Sequence, residues 1–265
     1  MKIERLKLKR LNNTRDLGGL PASDGRTIVT GKLFRSGRLT KLQKATCDEL
    51  RKMGVRTIID LRTPTECSDH PDTMIEGIEY IPLPILHIPK GGITAEKTMA
   101  KWLYKESSRI STEFGSANNY MICSYREMVF EEEQQKSLSK VLRIIIEAEG
   151  GVLFHCTSGK DRAGICAMLI EALLGVDEEW ILKDYMASAA FCRRKFFWNK
   201  FGIIVGPLPI AFKKILLGLM YLKPEFLDTI VQDMIERYGS VVDYCKQALG
   251  VTEADVQLLR SKYLV

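Results

Sequence analysis

The chain alternates short apolar runs with amphipathic stretches. Val55–Asp60, VRTIID, is a β-branched run suited to a buried parallel strand, and Val152–His155 is a second short apolar strand. Ile78–Leu83 reads as another strand, with Pro82, Pro84 and Pro89 marking irregular chain around its end and beyond. A helix is expected from a Thr40 cap to Met53, with Leu42, Ala45, Leu50 and Met53 toward the core and Gly54 ending it. Helical patterns follow at 95–106, 117–132 and 136–148; the last carries Leu138, Val141, Leu142 and Ile145 on one face and stops at Gly150-Gly151. Residues 12–35 read as a loop and hairpin, with Asp24-Gly25 as the turn and Thr27–Phe34 as a strand region. A helix from near Arg162 to Leu174 and two or three amphipathic helices from Glu225 complete the pattern. It predicts an α/β fold: a central, mostly parallel sheet flanked by helices, in a single domain over 1–265.

The segment 185–224 stands apart. It carries seven Lys or Arg residues and no acid, mixed with FFWNKF and ILLGLMYL. Two readings remain open: amphipathic helices with a solvated basic face, or a helical lid inserted over the site entrance. The basic stretch 193–200 also suits peripheral contact with an anionic membrane, although no lipid-anchor motif accompanies it.

At 265 residues and 46% hydrophobic content the chain can bury a substantial core, which excludes a disordered class. The formal charge of +6 is unevenly spread: nine net positive charges fall in residues 1–60 and three net negative ones in the rest. Such a balance favours anionic ligands in general; net charge alone, without a recognisable module, does not make a nucleic-acid binder. The cysteines, at 47, 67, 123, 156, 166, 192 and 245, form no CxxC pair, and their odd number suits a reduced, cytoplasmic setting. The opening MKIERLKLKRL lacks a signal-peptide core, and Phe201–Phe212 is too short to span a bilayer.

The chemistry concentrates in G-G-V-L-F-H-C-T-S-G-K-D-R-A-G, residues 150–164, where Cys156 and Arg162 stand in the spacing C-x5-R between a strand and a helix. Six residues starting at Cys156, including Thr157, Ser158, Gly159 and Lys160, can curl around a phosphate with successive N–H groups facing its oxygens. The helix dipole adds partial positive charge there and favours thiolate over thiol at Cys156. Arg162 offers a planar fork for two phosphoryl oxygens. A buried structural cysteine would explain neither Gly159 nor Arg162. His155 points to the other side of the strand, better placed to orient the loop than to act as a base. His70 and His87 show no ligand spacing, so neither a metal nor another cofactor is expected.

Departure of an alkoxide or phenoxide needs a proton donor. No aspartate lies between Asp72 and Asp161, so an aspartate a few dozen residues upstream of the loop is not on offer. Asp161 is the nearest candidate, with a structural cap or an ion pair as its alternative role. Asp60, ending the VRTIID strand where a parallel sheet places functional residues, is the second.

These motifs resemble the bacterial tyrosine phosphatases of the tyrosine/lipid-phosphatase type, within the protein tyrosine phosphatase superfamily. The likeness rests on N-T-R-D-L-G-G (13–19) with L-F-R-S-G-R-L (33–39), on D-L-R-T-P-T-E (60–66) and on H-C-T-S-G-K-D-R-A-G, and it spans nearly the whole chain. It implies a two-step mechanism through a cysteinyl-phosphate, with phosphotyrosine proteins as substrates and relaxed specificity reaching phosphoinositides. Lys160 and Asp161 look like the loop pair associated with that range, and Asp60 and Arg62 fall in a matching motif as expected substrate-binding residues. One position departs: Ala163 stands where the superfamily commonly has Ser or Thr, so no hydroxyl there assists departure of the thiolate. That departure leaves a low-turnover phosphate-binding module as an alternative, unless Thr157 or Ser158 compensates.

Overall fold

The computed structural model describes residues 3–96 and 99–265; the side chains of 100 and of 194–196, the latter within the basic stretch 193–200, lie outside the described residues. Five strands form one sheet in the order β1-β2-β5-β3-β4: β1 (Arg15–Asp16), β2 (Leu33–Ser36), β3 (Val55–Asp60), β4 (Glu79–Pro82) and β5 (Gly151–His155). The two-residue β1 pairs antiparallel with β2 at one edge, and the other neighbours run parallel. The expected α/β architecture is therefore present.

Alternation along the strands builds two cores. Leu33, Ile59, Val152 and Phe154 face the larger cluster, while Phe34, Ile58 and Leu153 face a smaller one with Leu39 and Leu50. Because β5 is central, both its faces are covered, and truncating Phe154 to alanine would cost about 3–5 kcal/mol. The register sets Ser36, His155 and Asp60 side by side at the carboxyl ends of β2, β5 and β3. That edge is where an open parallel sheet presents its chemistry.

The helices preceding β5 are α1 (Lys44–Lys52), α2 (Pro64–Asp69), α3 (Met99–Glu113), α4 (Ala117–Phe130) and α5 (Glu132–Glu147). Following it are α6 (Arg162–Leu174), α7 (Glu178–Phe191), α8 (Arg193–Val205), α9 (Ile210–Met220), α10 (Pro224–Tyr238), α11 (Val241–Gln247) and α12 (Glu253–Tyr263). Helix α6, apolar all round, is buried along nearly its whole length and ends at Gly175, whose φ of 81° is left-handed. No helix among the described residues is long and apolar enough to cross a membrane.

Three local expectations need correction. Thr40 does not cap α1: its hydroxyl donates to the His70 carbonyl, Lys41 takes a left-handed φ of 55°, and the helix starts after Gln43. The Thr27–Phe34 region is mostly loop, since Gly31 turns the chain and only Leu33–Ser36 joins the ladder. Helix α2 is absent from the sequence reading. It has a full signature, Thr63 and Glu66 forming a reciprocal capping box with Pro64 in the first turn.

Candidate active site

Strand β5 delivers Cys156 to the sheet edge, α6 begins at Arg162, and the loop between is shaped from outside through its carbonyls. Asn13 Nδ2 donates to the carbonyls of Ser158 (3.0 Å) and Gly159 (2.8 Å). Arg35 donates from one guanidinium nitrogen to those of Gly159 (3.0 Å) and Lys160 (3.2 Å), and the Arg38 N–H reaches that of Thr157 at 3.4 Å. With the carbonyls drawn outward, the backbone N–H groups of Thr157, Ser158, Gly159 and Asp161 have no acceptor among the described residues. Buried amides are rarely left unpaired, so this cluster is suited to an oxyanion. Gly159 is required where it stands: its φ is 69°, and a Cβ would lie 2.5 Å from the Ser36 backbone.

The outer brace is itself anchored. Asp184 of α7 accepts from Arg15 Nε at 2.6 Å and from Arg35 Nη1, and Arg15 also donates to the Asn13 side-chain oxygen at 2.7 Å. Burial would raise the Asp184 carboxyl, but Arg15 and Arg35 hold it below the usual carboxylate range. The neighbouring Glu171, buried beside Asp184, is pushed well up by burial first and by Asp184 second. N-T-R-D and L-F-R-S thus act as scaffolding for the loop.

Arg162 is fully buried and gripped by Glu66: Nη1 donates to Oε2 at 2.6 Å and Nη2 to Oε1 at 3.0 Å. The Ile93 and Leu61 carbonyls complete the clamp, while Nε has no partner among the described residues. Burial disfavours the charged guanidinium, yet Glu66 first and the nearby Cys156 sulfur second raise its pKa above the ordinary arginine value. Thr157 donates its hydroxyl to Glu66 as well. Burial is likewise outweighed at Glu66, which Arg162 holds below the usual range. Sequence reasoning passed over Glu66, although the T-x-x-E capping signature carried it.

Asp161 precedes α6 and makes no side-chain cap bond there, against the capping role considered for it. Its buried carboxylate accepts from Tyr125 at 2.6 Å, with Lys160 Nζ at 3.5 Å. Tyr125 in turn meets the Tyr185 hydroxyl at 2.8 Å, and burial followed by Asp161 pushes the Tyr125 phenol well up. Lys160 also donates to the Met220 carbonyl at the end of α9.

Asp60 and Arg62 lie elsewhere in the framework. Asp60 Oδ2 accepts from Arg62 (2.6 Å), Tyr80 (2.5 Å) and the Cys67 thiol (3.3 Å), and neither Asp60 nor Arg62 exposes more than a trace of surface. Burial would raise Asp60, but His155 and then Arg62 keep it well below the usual range, so it is ionised and carries no proton to give. The expectation of a substrate contact or acid at Asp60 meets a paired, inward-facing group instead. Asp60, Asp72 and His155 are the one set with metal-ligand spacing among the described residues. Arg62 already spans both carboxylates, at 2.6 and 3.0 Å, and supplies the positive charge there. His155 faces Asp72 at 3.0 Å and Cys156's own carbonyl at 3.3 Å, on the loop's root.

A cavity of about 680 Å³ beside the loop is lined by Thr157, Ser158 and Lys160, by residues 92–96, by Trp198 and Ile203 of α8 and by Leu216 and Leu219 of α9. The model of a family described as the tyrosine phosphatase family matches residues 6–265. A Cupriavidus necator protein whose name assigns it as a tyrosine-protein phosphatase is 30% identical over 257 residues, 96% of this chain and 86% of its own length. The triple specificity protein phosphatase PtpB of Mycobacterium tuberculosis is 28% identical over 262 residues, covering 92% and 94%. A tyrosine-protein phosphatase of Nostoc commune is 30% identical over 173 residues, covering 64% and 53%.

Proposed function

We infer, for a chain that belongs to the tyrosine phosphatase family and is a cysteine-dependent phosphatase, that it hydrolyses phosphotyrosine with relaxed specificity, using Cys156 as nucleophile. The observation carrying the assignment of residues is the loop beside Cys156 whose carbonyls are tied outward while the amides of Thr157, Ser158, Gly159 and Asp161 have no acceptor among the described residues. In the first step the Cys156 sulfur forms a bond to phosphorus as the ester P–O bond breaks. Arg162, with the loop amides, stabilises the charge spread over the transferring oxygens, and Asp161, when it carries a proton, gives it to the leaving oxygen. In the second, water attacks phosphorus, the sulfur departs, and Asp161 takes back a proton.

Glu66 fixes the Arg162 fork, and Asp60 and Arg62 support the loop's root as positioning residues. Thr157 is committed to Glu66, so Ser158 is the hydroxyl left to stand in for the one missing at Ala163. Replacing Cys156 by serine should abolish hydrolysis of an aryl phosphate while phosphate analogues still bind. Full activity in that variant would refute the assignment, and trapped phosphocysteine without turnover would favour the low-turnover module.

Phosphoinositide hydrolysis is a second reading, favoured by Lys160 beside the loop and by the cover. We assign 185–224 as a helical lid. Phe197, Trp198 and Phe201 are exposed on α8 with Arg193 and Lys200, an arrangement suited to an anionic membrane surface. Relative rates on phosphotyrosine peptides and inositol lipids separate the readings; co-sedimentation with liposomes that ignores acidic lipid would remove the membrane contact. The free state of all seven cysteines supports a cytoplasmic location.

A further inference from the structure

Arg10, Arg38, Lys41 and His70 converge on a second cavity, of about 480 Å³, whose inner lip is Thr157 and Ser158. No acid lines it. The same two loop residues line the larger cavity, so the basic hollow opens beside the phosphate-binding loop. Arg38 is half-buried, and its guanidinium makes no hydrogen bond or ion pair among the described residues. Burial first and the neighbouring Arg62 second lower its pKa, against the smaller opposing pull of Asp72 and Glu66.

The backbone tells the same story independently. Three non-glycine residues among those described take positive φ: Arg10 (62°), Asn13 (57°) and Lys41 (55°). Asn13 braces the loop, and the other two line this hollow. Left-handed Arg and Lys are uncommon and cost free energy, and such strain gathers at ligand-binding sites. Arg10 Nη1 donates to the Lys41 carbonyl at 2.9 Å, locking the two strained turns together and holding both cationic residues at the rim.

We propose that this hollow is a second anion subsite, receiving a further phosphate of the same substrate whose scissile phosphomonoester lies in the Cys156 loop. The assignment rests on the phosphatase reading and narrows it toward bisphosphorylated polyol headgroups. Several cations with no acid among them suit a phosphate dianion better than a single carboxylate.

The test uses Cys156→Ser protein, titrated calorimetrically with soluble inositol monophosphate and inositol bisphosphates, with and without Arg38→Ala/Lys41→Ala. The bisphosphate should bind roughly tenfold more tightly than the monophosphate, the size expected of one added charged contact, and the double substitution should erase that advantage alone. In the chain with Cys156 intact, the double variant should keep aryl phosphate turnover and lose about tenfold in kcat/KM on the bisphosphate. Equal binding of the two ligands, or equal losses on both, would overturn the subsite. So would a loss seen only with anionic vesicles, which would assign the cations to the membrane surface, or the same loss on an acidic phosphotyrosine peptide. Failure of the phosphatase reading is distinct: the unmodified chain would leave an aryl phosphate intact, whatever the calorimetry shows.

Discussion

Glu66 and Arg162 meet fork to fork, two nitrogens on two oxygens at 2.6 and 3.0 Å, with both side chains buried. The pair joins the first turn of α2 to the first turn of α6 and fixes the plane of the guanidinium before any substrate arrives. Removing one partner leaves a buried charge uncompensated, so Glu66→Ala should destabilise the fold by about 3–5 kcal/mol, read as a lower urea midpoint. Glu66→Gln keeps the shape and should lower kcat/KM roughly tenfold or more by freeing Arg162 to turn. Undiminished turnover in Glu66→Gln would remove the positioning role.

Glu66 also sets a pH dependence. Its pKa is lower folded than unfolded, so its stabilisation is present above the ordinary glutamate value, about 4.3, and fades as pH falls below it. Asp60 and Asp184 act in the same direction. Urea midpoints should therefore drop steeply on acidification below about pH 4, and less steeply in Glu66→Gln.

Glu171 runs the other way. Its pKa is higher folded than unfolded, so its contribution is fully present below about pH 4.3, the ordinary glutamate value, and falls as pH rises from there. Glu171→Gln mimics the neutral acid and should stabilise the protein at neutral pH relative to pH 4. Asp184→Asn, which strips the charge opposing Arg15 and Arg35, should destabilise it. Equal thermal shifts in the two variants would contradict this division.

Gly159→Ala meets both a left-handed φ and a 2.5 Å approach to Ser36. The loop must distort, and binding of vanadate, together with activity, should fall by about two orders of magnitude, consistent with a few kcal/mol of strain. Asn13→Ala removes only two carbonyl contacts, and a smaller loss, about tenfold, is expected.

Asp161→Asn should slow esters with poor leaving groups by roughly 100-fold or more while sparing activated aryl phosphates, which depart without a proton. A uniform loss across leaving groups would instead mark Asp161 as part of the Tyr125–Tyr185 framework.

Much of the site's skeleton was legible in sequence. The unit of β5, loop and α6 is written in contiguous residues, and the boundaries read from Arg162 and Leu174 match the helix. What local pattern could not show is where buried charges find their partners. Asp60 at a strand end reads as exposed chemistry, yet Arg62, Tyr80 and Cys67 close over it from three directions. Arg15 and Arg35 read as motif residues near the N-terminus; their role depends on Asp184, which lies 169 and 149 positions away. Glu66 was within reach, since its capping signature is local. Thr40 misled because the next residue is left-handed, which no periodicity reveals.

Asp184 sits at the middle of α7, and Cys192 closes that helix and opens α8, whose Trp198 and Ile203 line the cavity beside the loop. The grip on Arg15 and Arg35 therefore lies upstream of the joint. On the reading of α8 and α9 as a lid, a swing about that joint breaks the Lys160 contact with the Met220 carbonyl and leaves the hold of Asp184 on Arg15 and Arg35 in place. Entry of substrate then loosens the loop at one contact and spares its outer brace.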